Sequence, residues 1–175
     1  YTRALLSHFA VFHAPADALI YLIASKQQEW EWAVQLPHCK ESDAGDLCFF
    51  LDATDDADAG EAFDADDEGP LDRFLERIRR LLAQRKLQME ESSEGEGQSA
   101  SASAAAITLP LIFVVVDLLD AVYDDASPLK EIESDPAMSL LFGAGDAPGA
   151  AVLFLTPVRT KAPSKCEAVI EVERT

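Results

Sequence analysis

A run of apolar residues, Leu111 to Val116, ends at Asp117. In many nucleotide hydrolases a buried strand ends in a carboxylate of this kind, because phosphoryl transfer needs a rigidly placed negative group beside Mg²⁺. The same chemistry usually needs a second acid that orients the attacking water, but the next residue is Leu118 and the next acid is Asp120. Asp117 is therefore either a metal-side carboxylate or an acidic residue that only marks the exit of a core strand.

Other patterns for phosphate or metal binding fail in this chain. A phosphate loop of the type G-x-x-x-x-G-K-[ST] does not occur. The glycine-rich segment 143–149 lies between a predicted helix and a predicted strand, which is the reverse of the order in a dinucleotide loop, so it predicts a helix stop and a turn. The acidic segment 52–63 fails as a calcium loop, because Ala57 and Ala59 stand where ligands belong when Gly60 is the anchor.

The histidines and cysteines predict no metal site. They have no partners at ligand spacing, apart from the adjacent pair His38 and Cys39, so we expect structural roles for His8, His13 and His38. The three cysteines match neither a zinc spacing nor a disulfide framework, a pattern that suits a reducing cytoplasm; they are Cys39, Cys48 and Cys166.

Composition limits the class of protein. The 175 residues suit one domain, 1–175, and the 49% of apolar residues can form a sizeable core. No apolar run approaches the roughly 18 residues of a membrane span, and no signal peptide is present. The chain opens on a helical pattern without an initiator Met, so we interpret it as a fragment of a longer protein. The net charge of -18 disfavours direct binding of nucleic acid, because a phosphate backbone would be repelled.

The order of the predicted elements indicates the fold class. Short, nearly uncharged apolar segments predict buried strands at 18–24, 111–116 and 150–156. Segment 46–53 is a further candidate strand, and the alternating pattern of 166–173 predicts an edge strand. Helices are predicted at 2–13, 27–38, 70–87 and 134–145, the last capped by Asp135 with Pro136 in its first turn. Alternating elements favour a three-layer α/β fold, a mostly parallel sheet with helices on both faces. Sites in such sheets lie at the carboxyl ends of the strands, which makes Asp117 and Thr156 the candidate nucleotide-binding residues.

Two segments interrupt this pattern. From Glu41 to Glu68 there are twelve acidic residues and no Lys or Arg, which predicts a solvated and partly flexible insertion. Residues 91–106 have the composition of a flexible linker. The arginine-rich face of the 70–87 helix has two possible roles: its side chains pair with the acidic tract or contact another subunit. Trp30 and Trp32 cannot both face the core, so we expect one of them to be exposed or to pack on a neighbouring domain.

Several segments together resemble a known family. In order, "TRALLSHFAVFHAPADALIYLIA", "EWEWAVQLPH", "LPLIFVVVD", "LLFGAGDAPGAAVLFLTP" and "CEAVIEVE" resemble FtsK/SpoIIIE-type ATPase modules, with the closest likeness to the membrane-anchored EccC/EssC proteins of type VII secretion. The most specific segment is "EWEWAVQLPH", which is similar to their "W-x-W-x-x-W-L-P-H". The resemblance implies a P-loop-NTPase fold of the RecA/FtsK type. It also implies that Asp117 is the Walker B carboxylate and that Leu118 stands where the catalytic Glu normally stands.

The resemblance carries functional expectations as well. It places the chain in the module upstream of the first recognised ATPase domain, a module with degenerate motifs that acts in assembly and coupling of the translocation motor. The phosphate loop would lie upstream of Tyr1, so no cofactor is expected in this fragment. ATP and Mg²⁺ are expected only if that upstream loop is intact. The implied partners are other domains of the same ATPase and secretion-core membrane proteins, with a homo-oligomer as a further option. The implied location is the cytoplasmic face of the bacterial inner membrane, within a larger membrane-anchored protein. Two alternatives stay open, an active ATP-hydrolysing motor domain and an acidic protein-docking domain.

Overall fold

The computed structural model describes residues 1–41, 45–52, 69–94, 109–119, 132, 134–142, 149–157, 159–162 and 168–170. In chain order the first elements are α1 (Thr2–Phe12), β1 (Ala18–Ala24), α2 (Gln27–Val34), a 3-10 helix (Pro37–Cys39), β2 (Lys40–Glu41), β3 (Gly45–Asp46) and β4 (Cys48–Phe50). The remaining elements are α3 (Pro70–Glu94), β5 (Leu111–Asp117), α4 (Pro136–Phe142), β6 (Ala150–Leu155) and a second 3-10 helix (Arg159–Lys161).

The main sheet has four parallel strands in the order β4-β1-β5-β6. Ala24 pairs with Asp117, and Asp117 pairs with Leu155, so the carboxyl ends of the three longest strands are level. Strands β2 and β3 form a separate antiparallel pair. The predicted parallel α/β fold is therefore confirmed.

Helices cover both faces of this sheet. On one face, alternate strand residues such as Tyr21 and Val114 pack in one core with residues of α3 and α4. On the other face, their neighbours in sequence, such as Leu22 and Val115, pack with Leu6 of α1 and with α2. All seven residues of β1 are buried, because a strand in the middle of such a sandwich faces apolar side chains on both sides.

Local signals set the helix ends as the sequence predicts. His13 leaves α1 in an extended conformation, φ -121° and ψ 136°, two residues before Pro15. The Asp135 carboxylate accepts a 2.7 Å hydrogen bond from the Ala137 amide, and Pro136 occupies the first position of α4. Gly149 lies in a turn before β6 with φ 69°, a conformation that favours glycine; residues 143–148 of the predicted turn lie outside the described residues.

Two predicted helices have different ends in the structure. Helix α3 continues to Glu94, so the prediction that residues 91–94 belong to a flexible linker was wrong. The helix persists because residues 87–94 contain neither Pro nor Gly, and the first glycine is Gly95. The predicted 27–38 helix ends at Val34, and Pro37 begins the separate 3-10 helix.

Predicted strands at two places also differ. The predicted strand 46–53 divides into the end of β3 and the short β4, with Leu47 between them. In the predicted edge strand 166–173, residues 168–170 are not in a strand, and the other residues lie outside the described part of the chain. The rest of the predicted linker, 95–106, and most of the acidic tract, residues 42–44 and 53–68, also lie outside it.

Candidate functional site

Asp117 is the last residue of β5 and lies at the carboxyl edge of the sheet. Side chains alternate along a strand, so its carboxylate is on the same face as Phe113 and Val115, the face covered by α1 and α2. Only 6% of the residue is exposed. The position is the one where parallel sheets usually bind ligands, but the side chain points under a helix instead of into solvent.

Both carboxylate oxygens of Asp117 accept a hydrogen bond from within the chain. Oδ2 accepts from the indole Nε1 of Trp30 at 2.7 Å, and Oδ1 accepts from the amide of Leu119 at 3.1 Å. The Asp117 carbonyl accepts from the amide and the hydroxyl of Ser25, each at 3.2 Å. The donors to the carboxylate are neutral, and no salt bridge between described residues involves Asp117.

Trp30 reaches Asp117 because α2 is fixed at its own beginning. The amide of Gln27 donates to both carboxylate oxygens of Asp52, at 3.0 and 3.1 Å, and the amide of Asp52 donates to the Ser25 carbonyl. This carboxylate caps the helix next to the end of β1. Trp30, about one turn later, is therefore held over the edge of the sheet, with only 5% of the residue exposed.

Trp32 extends the contact outward from Trp30. The two indoles stack with centroids 5.8 Å apart and planes at 25°, and the guanidinium of Arg3 lies 4.9 Å from the ring centroid of Trp32. Trp32 is half-buried, whereas Trp30 belongs to the core. Trp32 packs against the same core as Trp30, so the expectation that one tryptophan is exposed or packs on a neighbouring domain is not met. The two rings connect α1 to Asp117.

Leu118 points to the opposite face of the sheet. It is fully buried in the core that α3 and α4 cover, together with Ile132 and Met138. Its amide donates to the Leu155 carbonyl at 3.0 Å, which continues the pairing of β5 with β6 by one residue. The position expected for a catalytic Glu is therefore an apolar core position.

Thr156 directly follows β6 and is level with Leu118 in the extended register. It is half-buried and lies on the same sheet edge as Asp117, one strand away. The structure thus places the two predicted site residues on neighbouring strands of one edge. Among the described residues, no cluster of three or more His, Cys, Asp or Glu side chains has the arrangement of a metal site.

The three histidines make packing contacts. Nε2 of His38 lies 2.8 Å from the His13 carbonyl, so the tautomer that fits carries its proton on Nε2. The rings of His8 and His13 stack on Phe12 and Phe9, with centroids 4.5 and 4.6 Å apart. These contacts join the end of α1 to the 3-10 helix and support the structural roles predicted for them.

Sequence reasoning missed the partners of Asp117. Trp30 and Asp117 are 87 residues apart, and no spacing rule connects them. The one available signal was the tryptophan itself, because a buried indole N–H usually has a hydrogen-bond acceptor. Asp52 belongs to the predicted strand 46–53, the acidic tract and the rejected calcium loop, and none of these patterns indicates its role as a helix cap.

Comparison with known proteins identifies the fold. No protein-family model and no curated protein matches the chain. Among solved structures, the cytoplasmic domain of EssC matches with a TM-score of 0.56 and 19% identity over 92% of this chain. The chain has the fold of an EssC ATPase domain. EssC (ATPases 2 and 3) from Geobacillus thermodenitrificans matches with a TM-score of 0.55 and 20% identity, again over 92% of this chain.

The likeness to EssC concerns the fold, since the identity is low. It confirms, at that level, the resemblance to FtsK/SpoIIIE-type modules of the EccC/EssC kind. The chain spans about a quarter of the EssC chains that it matches, 27% and 26% of their lengths. No described helix combines the length and the apolar character that a membrane span needs.

Proposed function

We propose that this chain is a degenerate FtsK/SpoIIIE-like module of a type VII secretion ATPase, acting in assembly and conformational coupling instead of hydrolysis. The shared fold with EssC supports the class of protein. The surroundings of Asp117 and Leu118 support the loss of hydrolysis. The proposal includes a place in a larger membrane-anchored protein at the cytoplasmic face of the bacterial inner membrane. Its partners there would be other domains of that protein and secretion-core membrane proteins.

The hydrogen bond from Trp30 to Asp117 is the observation that carries the proposal. Mg²⁺ requires oxygen ligands in near-ideal octahedral geometry, and a lone pair that accepts from an N–H cannot also bind a cation. The second oxygen accepts from the Leu119 amide, and the residue is almost fully shielded from water. Each oxygen keeps a second lone pair, but with 6% of the residue exposed a metal would reach it only if the cover over this edge of the sheet opened.

Leu118 supports the same conclusion. A water-orienting acid must face the nucleotide at the carboxyl edge, whereas Leu118 faces the core of the opposite layer. No other acid follows Asp117 among the described residues of this strand exit. The described part of this strand exit thus has no acid that would activate water.

A chain of contacts from the surface to the sheet edge supports a coupling role. It runs from Arg3 on α1 to Trp32 and Trp30 on α2 and then to Asp117. Asp52 attaches the beginning of α2 to the same edge. A displacement of α1 or α2 by a neighbouring domain would therefore move the side chains at the ends of β1 and β5.

The test is a binding titration with fluorescent ATP and Mg²⁺, on this chain and on a chain extended upstream. We expect no saturable binding and no hydrolysis above background from either. Trp30→Phe, which frees one oxygen of Asp117, should be compared with Trp32→Phe, which leaves that hydrogen bond in place. Micromolar ATP binding by the unsubstituted protein that Asp117→Ala abolishes would overturn the proposal.

A second candidate is a working ATPase whose phosphate loop lies upstream of Tyr1. It is favoured by one observation, that the buried charge of Asp117 has no cationic partner among the described residues. Magnesium bound with ATP would supply that partner. A glycine-rich loop ending in Lys-Ser or Lys-Thr in roughly the twenty residues before Tyr1, together with ATP hydrolysis by the extended chain, would establish this candidate.

A further inference from the structure

Cys39 and Cys48 lie side by side although eight residues, 40–47, separate them. The β2–β3 pair turns the chain back on itself, with Lys40 opposite Asp46. The pairing continues beyond these strands, because the Leu47 amide donates to the Cys39 carbonyl at 2.8 Å. The two backbones therefore stay adjacent where the cysteines occur.

Both side chains point into the same apolar layer. Cys39 is fully buried there, and Cys48 packs against it from β4, on the face of the sheet that α1 and α2 cover. The Cys39 side chain has the largest effect in raising the pKa of the Cys48 thiol, in line with the closeness of the two side chains in this layer. Cys48 is only partly buried, so one member of the pair is accessible and the other is not.

We propose that Cys39 and Cys48 are a site of reversible disulfide formation, which attaches the 3-10 helix to β4 when a hydroperoxide oxidises the chain. A disulfide requires adjacent backbones and two side chains on the same side, and both conditions hold for Cys39 and Cys48. The proposal does not rest on the function proposed above, because it concerns the opposite end of α2 from Asp117.

The oxidation follows the ordinary chemistry of thiols. The Cys48 sulfur, as thiolate, attacks one oxygen of hydrogen peroxide, the O–O bond breaks and hydroxide leaves, giving a sulfenic acid. The Cys39 sulfur then attacks the sulfenic sulfur, and the hydroxyl group leaves as water. In total, two thiols and one peroxide give one disulfide and two waters. Dithiothreitol reverses the oxidation by two thiol–disulfide exchanges.

The surroundings of Cys48 make this site slow to react. The hydrogen bond with Cys39 raises the pKa of the Cys48 thiol, and burial and the nearby charges of Cys39 and Asp46 raise it further, whereas Lys40 lowers it. A raised pKa means less thiolate at neutral pH, and the thiolate is the reactive form. The pair should therefore remain reduced in a cytoplasm under ordinary conditions and oxidise under sustained exposure to peroxide.

The disulfide would affect the segment between α2 and the sheet. The 3-10 helix that contains Cys39 also contains His38, which contacts the end of α1 through the His13 carbonyl. A covalent bond from this helix to β4 would limit local opening of the connection that follows α2. Closure of a short loop also constrains the unfolded chain, so the oxidised protein should be the more stable form.

The experiment uses the folded chain with Cys166→Ala, in which Cys39 and Cys48 are the remaining thiols. The matched control carries Cys48→Ala as well, and circular dichroism verifies that both are folded. Each is treated with hydrogen peroxide, the free thiols are blocked with iodoacetamide, and intact mass and a non-reducing peptide map are recorded. We expect the first variant to lose two hydrogens and to yield one linked peptide containing both cysteines, with full reversal by dithiothreitol. Its Tm should rise on oxidation.

In the control the Cys39 thiol should be lost at least roughly tenfold more slowly than the thiols of the first variant. A fully buried thiol without an accessible neighbour is protected from peroxide. Retention of both thiols in the first variant would overturn the proposal. So would links between chains in place of the internal one, or a linked peptide that forms only in denaturant.

Discussion

Two carboxylates are buried among the described residues, one on each side of the sheet, and their partners differ in charge. Asp135 caps α4 through the Ala137 amide at 2.7 Å, and its other oxygen lies 3.4 Å from Nη2 of Arg79 on α3. Within the described part of the chain, the donors to the Asp117 carboxylate are neutral, the Trp30 indole and the Leu119 amide. The two residues are almost equally buried, with 8% and 6% exposed.

The difference separates a structural contact between two helices from the candidate site. The charge of Asp135 is neutralised by a cation where two helices meet, which is how buried carboxylates in cores are usually accommodated. Among the described residues no cation contacts Asp117, which lies at the sheet edge where ligands of parallel sheets bind. Such an arrangement is costly for folding alone and is typical of active sites or of sites that have lost their ligand. The following predictions test this distinction.

Leu118→Glu should have the largest effect. It places a carboxylate one residue after Asp117, but among the apolar side chains of the fully buried core that α3 and α4 cover. We expect a loss of about 3–5 kcal/mol in the free energy of unfolding, and no ATP hydrolysis. Urea unfolding followed by circular dichroism measures the loss.

Leu118→Met is the matched control, because it conserves volume and should cost less than about 1.5 kcal/mol. If Leu118→Glu were as stable as Leu118→Met, the side chain would be able to leave the core. The assignment of this position as structural would then be wrong.

Trp30→Phe should have the second largest effect. The phenyl ring keeps most of the packing, but the N–H is lost and one oxygen of a buried carboxylate loses its donor. We expect a loss of about 1.5–3 kcal/mol in unfolding free energy, the range for hydrogen bonds to charged groups. Trp32→Phe, which removes the N–H of the half-buried neighbour, should cost clearly less.

A double-mutant cycle isolates the contact. In a chain that already carries Asp117→Ala, Trp30→Phe should cost less than alone, with a coupling energy of about 1–2 kcal/mol. Equal costs in the two backgrounds would show that the hydrogen bond contributes nothing in solution. Asp117 would then be freely available at the sheet edge, as the second candidate function requires.

The elements that carry these residues could be predicted from the sequence. The apolar runs of β1, β5 and β6 have no charged residue before their ends, and a chain segment of that kind is stable only between two covered faces. The stripe on α3 and the Asp135–Pro136 start of α4 are local signals of the same sort. Local chemistry therefore determined the class of fold and the edge on which Asp117 lies.

The contacts at the site could not be predicted in this way. The Trp30–Asp117 hydrogen bond depends on which face of the sheet the Asp117 side chain occupies and on how α2 is rotated about its axis. Tertiary packing determines both. The pairing of Cys39 with Cys48 depends on a hairpin of two-residue strands, too short to give a period-two pattern. The end of α3 was missed because a serine- and glutamate-rich segment has a linker composition but a tolerable helix propensity.

Asp135→Ala tests the other carboxylate and should have an intermediate effect. It removes the cap of α4 and the partner of Arg79, which is one-third exposed, so the ion pair itself is screened by solvent. We expect a loss of about 1–2 kcal/mol in unfolding free energy, mostly from the cap. Asp135→Asn keeps a capping oxygen and removes the charge, so it should retain most of the stability. Equal losses from both substitutions would mean that the charge, and not the cap, holds this contact together.

Arg80→Ala should have the smallest effect and marks the lower end of the comparison. The sequence left open whether the arginines of α3 pair with the acidic tract or with another subunit, but Arg79 and Arg80 contact Glu76 on their own helix, at 3.1 and 3.4 Å. The side chain of Arg80 is 75% exposed, so water and salt compete with the pair. We expect a change below about 0.5 kcal/mol in unfolding free energy, and a smaller one at high salt. A larger, salt-dependent loss would instead show that Arg80 offsets the negative charge of this acidic protein over a longer range. The stability of each buried carboxylate would then depend on the charge of the whole chain as well as on its direct partners.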